Sequence, residues 1–304
     1  MIKEQFEQHI RDTAKSQAQV AKAIGISGAA LSSWLSGKYQ GDNEAVERKV
    51  RKYLQRESKR KESLSIPVVK LSNYRRIRAA LATAHEECEI AVITGAAGTG
   101  KTTAIRSYAQ QNAAILIRAH RGLTMHRLMA SIAALLGVEK VGGLADTCEA
   151  IIEKLAPLDT AVIIDEAEYL SDNSLELLRQ VIYDSGESPL ILVGLPRLAG
   201  IIRNMKNDHQ QLLSRVGIAL QLEPTPFADF CELMQQSWKG LSESVMQRIY
   251  EYSQNETKAG SNPSLRNCSK LLMRLHRRCK QENKQASAEM VDSVASLIMQ
   301  RPQI

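Results

Sequence analysis

The segment that most constrains the fold of this chain is residues 95–102, which read GAAGTGKT and directly follow a short apolar stretch, residues 89–94. A G-x-x-x-x-G-K-T segment between a strand and a helix forms a loop whose backbone N–H groups surround phosphate oxygens. The flanking pattern fits, because a helix is predicted over residues 103–111. We therefore predict a nucleotide-phosphate site at Gly95, Ala96, Ala97, Gly98, Thr99, Gly100, Lys101, Thr102 and Thr103.

Two side chains of this loop and two acidic residues farther along the chain have separate expected roles. Lys101 is expected to reach the β- and γ-phosphates of ATP, and Thr102 to offer its hydroxyl to Mg²⁺. A fully apolar stretch, residues 160–164, ends at Asp165 and Glu166. Ligands bind at the carboxyl ends of parallel strands, so Asp165 is predicted to hold Mg²⁺ through its water shell and Glu166 to polarise the attacking water. An acidic helix cap is the structural alternative.

The remaining apolar stretches predict an α/β fold. Further strands are expected at residues 114–119, 190–194 and 217–222, with helices between them at 125–136, 145–155, 175–185 and 198–213. This alternation indicates a parallel five-strand sheet between helices. The segment from residue 224 onward is polar and helical with no convincing strand. Its NPSLR sequence predicts a capping residue, a proline in the first helical position and then a basic helix.

The beginning of the chain predicts a helix-turn-helix. In residues 17–35 the apolar positions fit two short helices on either side of Gly25, with Ser27 placed to cap the second helix. This second helix would present small side chains to a DNA groove, with Ser27, Ser32 and Ser33 as candidate contacts. Because no arginine or glutamine is aimed at base edges, weak or nonspecific DNA binding is expected. A helical hairpin used for protein contacts is the alternative.

Four regions follow from these patterns: a helix-turn-helix domain at 1–61, a linker at 62–70, the ATPase core at 71–223 and a C-terminal helical lid at 224–304. The 304-residue chain has a formal net charge of +7, and its two ends are basic while its middle is mildly acidic. Basic ends favour a polyanionic partner, double-stranded DNA first, although solvated helix faces are an alternative.

Several classes of protein are unlikely on sequence grounds. No apolar run approaches the ~20 residues of a membrane-spanning helix, and the polar N-terminus is unlike a secretory signal. The five cysteines are odd in number and widely spaced, which favours reduced thiols and argues against a structural zinc site. A cytoplasmic protein with no membrane partner is therefore expected.

The motifs together resemble the AAA+ ATPases, and their order along nearly the entire chain is similar to the AAA+ ATPases of Mu-like transposition systems. Supporting segments are SSWLSGKYQGDNEAV, IIDEAEYL, LILVGLPRL and LLSRVGI. The resemblance implies ATP and Mg²⁺ as cofactors, and ATP-dependent self-assembly into a helical filament or ring on target DNA without strong sequence preference. It further implies delivery of that DNA to a transposase, and stimulation of transposition, in the cytoplasm of a bacterial host.

The resemblance also assigns individual residues. Arg215 in LLSRVG matches the arginine finger that contacts the γ-phosphate bound by a neighbouring subunit, and Arg266 in NPSLR matches the lid arginine that senses the nucleotide. A surface or structural ion pair is the alternative for each. One position departs from the family pattern, because Leu195 and Pro196 stand where a polar side chain normally lies near the attacking water. Two consequences stay open: hydrolysis is slow, or a neighbouring side chain replaces the missing polar group.

Contacts to DNA in the channel of an oligomer are expected from loops of the core, at Arg118, His120 and Arg121, with Lys140 a weaker candidate. A chance placement of the two arginines is the alternative. The basic helix at 270–280 offers a second surface to DNA or transposase. Two other functions compete with transposition: a replication or plasmid-maintenance initiator that reads a defined DNA site, and a nucleotide-switched transcription regulator. The second requires base-reading side chains, of which residues 27–33 supply few.

Overall fold

A computed structural model of the protein describes residues 2–13, 16–61, 64–139, 142–205, 211–257 and 260–299. Its contacts divide the chain into two compact units, Met1–Leu64 and Ser65–Ile304. The division falls within the stretch predicted as a linker. The predicted boundary between core and lid at residue 223 stays a prediction, because both belong to the second unit.

The described residues of the first unit form four helices. Gly25 ends the second helix in the left-handed region with φ of 74°, and the Ser27 hydroxyl accepts a hydrogen bond from the Ala30 N–H at the start of the third. Phe6, Leu31 and other apolar side chains form a core between the helices. The predicted pair of helices is therefore present, and an unpredicted first helix packs against it. The helices are α1 (Ile2–Asp12), α2 (Gln17–Ile24), α3 (Gly28–Leu35) and α4 (Asn43–Lys61).

The second unit is built on a five-strand parallel sheet with the order β2-β3-β4-β1-β5. Every residue of β1, β3 and β4 is buried, because helices cover both faces, and this is why these strands are continuous apolar runs. The predicted α/β class with a parallel five-strand sheet is confirmed. The strands are β1 (Ile90–Thr94), β2 (Ala114–Arg118), β3 (Ala161–Asp165), β4 (Leu190–Gly194) and β5 (Val216–Gln221).

Helices pack on the two faces of this sheet in separate apolar layers. Alternate strand residues such as Ile163 and Ile164 contribute to opposite layers. The layer that contains Ile163 includes α5 and α6, and the layer that contains Ile164 includes α7 to α10. The helices are α5 (Ser72–Glu86), α6 (Lys101–Ala109), α7 (Met125–Leu135), α8 (Leu144–Leu155), α9 (Asp172–Leu178), α10 (Arg197–Arg203) and α11 (Gln211–Ser214).

Two helices of the core differ from the prediction. The helix expected at 175–185 ends as an α-helix at Leu178, and Arg179–Asp184 continues as a π-helical segment. The helix expected at 198–213 is divided into α10 and α11, and residues 206–210 between them lie outside the described residues. Hydrophobic periodicity predicts a helical run but not the local widening of its hydrogen bonding.

The C-terminal region contains a β-hairpin that sequence reasoning missed. Its strands are antiparallel and mainly polar, so they lack the alternation by which strands are recognised. Pro263 belongs to the second strand, and Ser264 is the residue that caps the following helix, so the expected proline in the first helical position is wrong. In the described part of the chain, no helix is both long and apolar enough to span a bilayer. The elements are α12 (Phe227–Ser237), α13 (Glu243–Tyr252), β6 (Gln254–Thr257), β7 (Gly260–Pro263), α14 (Leu265–Glu282) and α15 (Ala288–Met299).

Candidate functional site

The phosphate loop, residues 95–102, joins β1 to α6 at the carboxyl edge of the sheet. Gly98 and Gly100 have φ values of 89° and 93°, in the left-handed region that favours glycine. A Cβ atom at Gly98 would also collide with the Ser264 hydroxyl, and one at Gly95 would lie 2.8 Å from the Cβ of Leu222. The path of the loop therefore depends on glycine at these positions.

Lys101 is the first residue of α6 and its ammonium group lies inside the loop. Its Nζ atom donates hydrogen bonds to the carbonyl oxygens of Gly95 at 2.6 Å and Ala96 at 2.8 Å. Burial lowers the pKa of Lys101 to about 8, an effect that the nearby Asp165 and Glu168 oppose. A polyanion in this loop would favour the charged form of Lys101. The positive end of the α6 helix dipole would in turn stabilise the bound anion. The surroundings of Lys101 therefore fit phosphate.

The structure brings together the two residues predicted to hold Mg²⁺. The Thr102 hydroxyl donates a hydrogen bond of 2.9 Å to Oδ2 of Asp165, which is the last residue of β3 and is buried. The other carboxylate oxygen of Asp165 accepts the N–H of Glu166 at 3.0 Å. Hydroxyl and carboxylate oxygens are ligands that Mg²⁺ prefers, so this pair fits the ion.

Glu166 is paired with one of the arginines that the sequence assigned to DNA. Its backbone is left-handed, with φ of 58°, and its Oε1 atom accepts a hydrogen bond of 2.6 Å from Arg118. Arg118 ends β2 directly beside Asp165 of β3. Nearby, the guanidinium of Arg121 lies 5.9 Å from the centre of the Tyr169 ring, and His120 accepts a hydrogen bond from a neighbouring backbone N–H. Arg118 and Arg121 thus border the acidic segment after β3.

Glu168 is a residue of the site that sequence reasoning missed. Its side chain is 1% exposed, and its Oε2 atom accepts the backbone N–H of Leu195 at 3.3 Å. The same oxygen occupies the space that a Cβ at Gly194 would need. Its Oε1 atom lies 3.6 Å from the guanidinium of Arg197. Glu168 therefore brings polar atoms to the end of β4, where Leu195 and Pro196 supply no polar side chain. The available signal was its position within IIDEAEYL, two residues after Glu166.

A cavity of about 520 Å³ extends from the phosphate loop to the helices of the C-terminal region. This volume is in the range of small-molecule sites. One wall is apolar and includes Ile66, Pro67, Val68 and Val69, which belong to the stretch predicted as a linker.

The helix α14 also lines this cavity. Its first residue, Leu265, donates its backbone N–H to the carbonyl oxygen of Gly98 at 3.0 Å, so the helix begins in direct contact with the phosphate loop. Arg266, the next residue, lines the cavity and lowers the pKa of Lys101 through its charge. The predicted nucleotide-sensing arginine is therefore within the same cavity as the phosphate loop.

Arg215 lies outside this cavity, between α11 and β5, and its side chain is 56% exposed. Its Nε atom is 3.9 Å from Oδ1 of Asp184. In the first unit, Ser27 is engaged in capping α3, Ser32 is exposed and Ser33 is half-buried. Lys140, the weaker candidate for DNA contact, lies outside the described residues.

The parallel sheet, the phosphate loop after β1, the Asp-Glu pair at the end of β3 and the adjoining helical region define an ATPase fold of the AAA+ class. Residues 84–202 match the AAA domain family. The solved structure of the Aeropyrum pernix ORC1 protein in complex with DNA has a similar fold, with a TM-score of 0.59 and 17% identity, covering 77% of this chain and 67% of that chain.

Relatives identify the particular family. A Mu-like prophage FluMu DNA transposition protein B from Haemophilus influenzae is 30% identical over 260 residues, covering 81% of this chain and 89% of the relative. The ATP-dependent target DNA activator B of Escherichia phage Mu is 26% identical over 245 residues, covering 78% of this chain and 77% of the relative. The chain belongs to the family of Mu-like DNA transposition B proteins.

Proposed function

We propose that the protein is an ATP-hydrolysing, DNA-binding ATPase that oligomerises on target DNA, delivers this DNA to a transposase and stimulates transposition. The observation that carries the proposal is the convergence of Lys101, Thr102, Asp165, Glu166 and Arg266 on one cavity in a member of this family. The relative from phage Mu is described as an ATP-dependent activator of target DNA, which supports the same role here.

The residues around the cavity have separate roles in hydrolysis. The phosphate loop and Lys101 bind the phosphates of ATP, and Thr102 and Asp165 would hold Mg²⁺, which when bound would neutralise charge on the transferred phosphoryl group. Glu166 orients the attacking water and accepts its proton. In the structure this carboxylate is occupied by its ion pair with Arg118, so Glu166 acts once that contact is released. Arg266 contacts the nucleotide from the side of α14.

Arg215 completes the site of a neighbouring subunit as an arginine finger. Its exposed side chain lies outside the cavity of its own chain, which leaves it available to a second copy. Hydrolysis therefore requires the oligomer, whether a helical filament or a ring.

Binding of duplex DNA is mainly to the phosphate backbone. The candidate contacts in the core are the exposed His120 and Arg121, and the basic face of α14 offers a second surface. In the first unit, the exposed face of α3 carries small side chains such as Ser32, which position a helix but read few bases. Binding with little sequence preference is the expected result.

The test is binding of the full-length protein to random-sequence duplex DNA with ATP, with ADP and without nucleotide, followed by negative-stain electron microscopy. Filaments or stacked rings on DNA are expected with ATP, and not with ADP or without nucleotide. Glu166→Gln should bind ATP and give longer-lived assemblies because hydrolysis is blocked, whereas Lys101→Ala should give none. Discrete particles at one preferred sequence, regardless of nucleotide, would instead support an initiator or a transcription regulator.

The role in transposition is tested by adding the purified transposase of the same mobile element, with the transposon ends, to these assemblies. Strand transfer into the DNA that carries the assembly should increase over transfer into naked DNA. An equal rate on both DNA molecules would contradict delivery to the transposase while leaving the DNA-binding ATPase intact.

A further inference from the structure

A buried arginine that has no part in the nucleotide cavity lies next to Arg215. The side chain of Arg179 is only 3% exposed and uses all three of its nitrogens. Its Nε donates to Oε1 of Glu176 at 2.8 Å, one terminal nitrogen contacts the carboxylate of Asp184, and the other donates to Oε1 of Gln211 at 3.0 Å. We call the set Glu176, Arg179, Asp184, Gln211 and Arg215 the Arg215 cluster.

The π-helical segment is what brings Arg179 and Asp184 together. Side chains five residues apart do not face each other on an α-helix, where neighbours are three or four residues apart. In the segment Arg179–Asp184 the backbone hydrogen bonds join residues five apart, as in the bond from the Ser185 N–H to the Gln180 carbonyl. Such segments are frequent at functional sites, and this one has a specific result: it places a carboxylate between a buried arginine and Arg215.

The buried arginine controls both elements that determine where Arg215 lies. Asp184 contacts Arg179 on one side and lies 3.9 Å from the Nε atom of Arg215 on the other. Gln211, also bonded to Arg179, is the first residue of the short helix α11, which directly precedes Arg215. Leu212 in this helix is fully buried, which fixes it to the core. Arg179 thus holds the backbone of Arg215 through Gln211 and α11, and its guanidinium through Asp184.

The charges explain why Asp184 is suited to this task. Its side chain is 30% exposed, so the carboxylate lies at the boundary between the buried Arg179 and the exposed Arg215. Arg179 is already matched by Glu176, which leaves part of the negative charge of Asp184 to attract a second guanidinium. A pair at this boundary limits the rotamers of a long, flexible side chain without burying it.

We propose that Asp184 is a positioning residue for Arg215, and that Arg179 fixes Asp184 for this purpose. The proposal rests on the proposed function, in which Arg215 acts in the site of a neighbouring subunit. Asp184 holds the guanidinium pointing out of its own chain before the neighbour binds, which reduces the entropy lost when the finger engages the γ-phosphate.

The experiment uses mixed assemblies on DNA in which one variant supplies the finger and the other supplies the pocket. The donor is Glu166→Gln, which binds ATP but does not hydrolyse it, and the acceptor is Arg215→Ala, which has an intact pocket and no finger. Each alone is inactive. At equal amounts, a mixture should recover about a quarter of the wild-type rate, because that is the share of interfaces with a working pocket and a working finger under random assembly.

The substitution Asp184→Asn is then placed in one partner at a time. In the donor it should lower the recovered rate by about tenfold with the KM for ATP unchanged, since the finger is displaced but the pocket belongs to the other chain. In the acceptor the same substitution should leave the recovered rate unchanged, because that chain has no finger to position. Asp184→Glu in the donor should restore most of the rate.

The outcomes distinguish the role of Arg215 as an arginine finger from the role of Asp184 as its positioning residue. Failure of the unsubstituted donor and acceptor to complement each other would contradict the role of Arg215 itself. Complementation that is unaffected by Asp184→Asn in the donor would overturn the positioning role alone. An equal loss with the substitution in either partner would show that Asp184 only supports the fold, and would also overturn the proposal.

Discussion

The phosphate loop and the Arg215 cluster belong to the same proposed reaction, yet the chain builds them in different ways. The loop is eight consecutive residues whose path is set by glycine and whose charged group, Lys101, is hydrogen-bonded within the loop. The Arg215 cluster combines side chains from α9, the π-helical segment and α11, and its outermost group is half exposed. In the proposed function, the first region is complete within a single chain and the second is half of a site that a neighbouring subunit completes. Binding of ATP should therefore be a property of the monomer and hydrolysis a property of the oligomer.

The largest expected effects come from one substitution in each region, Lys101→Ala in the phosphate loop and Arg215→Ala in the Arg215 cluster. Lys101→Ala should abolish detectable ATP binding, because the buried ammonium is the charge at the centre of the loop. Arg215→Ala should leave the Kd for ATP within about twofold, and lower turnover in the DNA-bound assembly by about a thousandfold, as for other arginine fingers. Titration with a fluorescent ATP analogue measures the first quantity, and phosphate release measures the second.

Two results would contradict these assignments. If Arg215→Ala weakened ATP binding by the monomer as much as Lys101→Ala does, Arg215 would be a structural residue of its own chain. Unchanged turnover in the Arg215→Ala assembly would show that the finger lies elsewhere.

A second effect, of about tenfold, concerns the pH dependence of the loop. The pKa of Lys101 is lowered to about 8 by burial, and bound phosphates raise it again, so binding of ATP takes up a proton when Lys101 starts out neutral. Affinity should be full below pH 8 and fall as the pH rises above it, by up to about tenfold for each pH unit. Fluorescent-nucleotide titration across this range measures the slope.

The matched control for this pH dependence is Lys101→Arg, whose guanidinium stays charged throughout. If this variant binds ATP, its affinity should be flat over the same range. A flat profile for the unsubstituted protein would show that Lys101 is fully charged in the free site. Turnover should change with pH through this binding step rather than through Arg215.

The smallest expected effect is at Arg118, which contacts Glu166 at the end of β2. Its ion pair with Glu166 is exposed to solvent, and such pairs contribute little. Arg118→Ala should therefore raise ATP hydrolysis in the absence of DNA by about twofold to fivefold, since Glu166 is released. Arg121→Ala is the control, because Arg121 lies against Tyr169 and not against Glu166. A lower basal rate for Arg118→Ala would show that Arg118 assists hydrolysis directly.

The same contrast explains which parts of the molecule could be predicted. The parallel sheet, the phosphate loop and the Thr102–Asp165 pair follow from consecutive residues, because a buried strand, a glycine-rich turn and a strand end are local patterns. The turn between α2 and α3 is equally local, since Gly25 supplies the left-handed backbone and Ser27 the cap. In these places the short-range pattern and the tertiary structure agree.

Features that depend on distant contacts could not be read in this way. Glu168 acts at the end of β4 only because β3 and β4 are neighbours in the sheet. The apolar residues at 66–69 look like a linker in sequence, and become a cavity wall only where the chain passes the phosphate loop. The pairing of Arg179 with Asp184 requires a spacing of five residues that an α-helix does not bring together.

The hydrogen bond from Leu265 to Gly98 has a mechanical consequence. It places the pivot of an 18-residue helix, α14, on the loop that is proposed to hold the phosphates. At 1.5 Å per residue the helix is about 27 Å long, so a tilt of about 10° at Leu265 displaces its far end by about 5 Å. If a change in the phosphate loop tilted α14 by this amount, the basic surface near Lys280 would be displaced by a distance comparable to a full helical turn, and α14 would work as a lever arm.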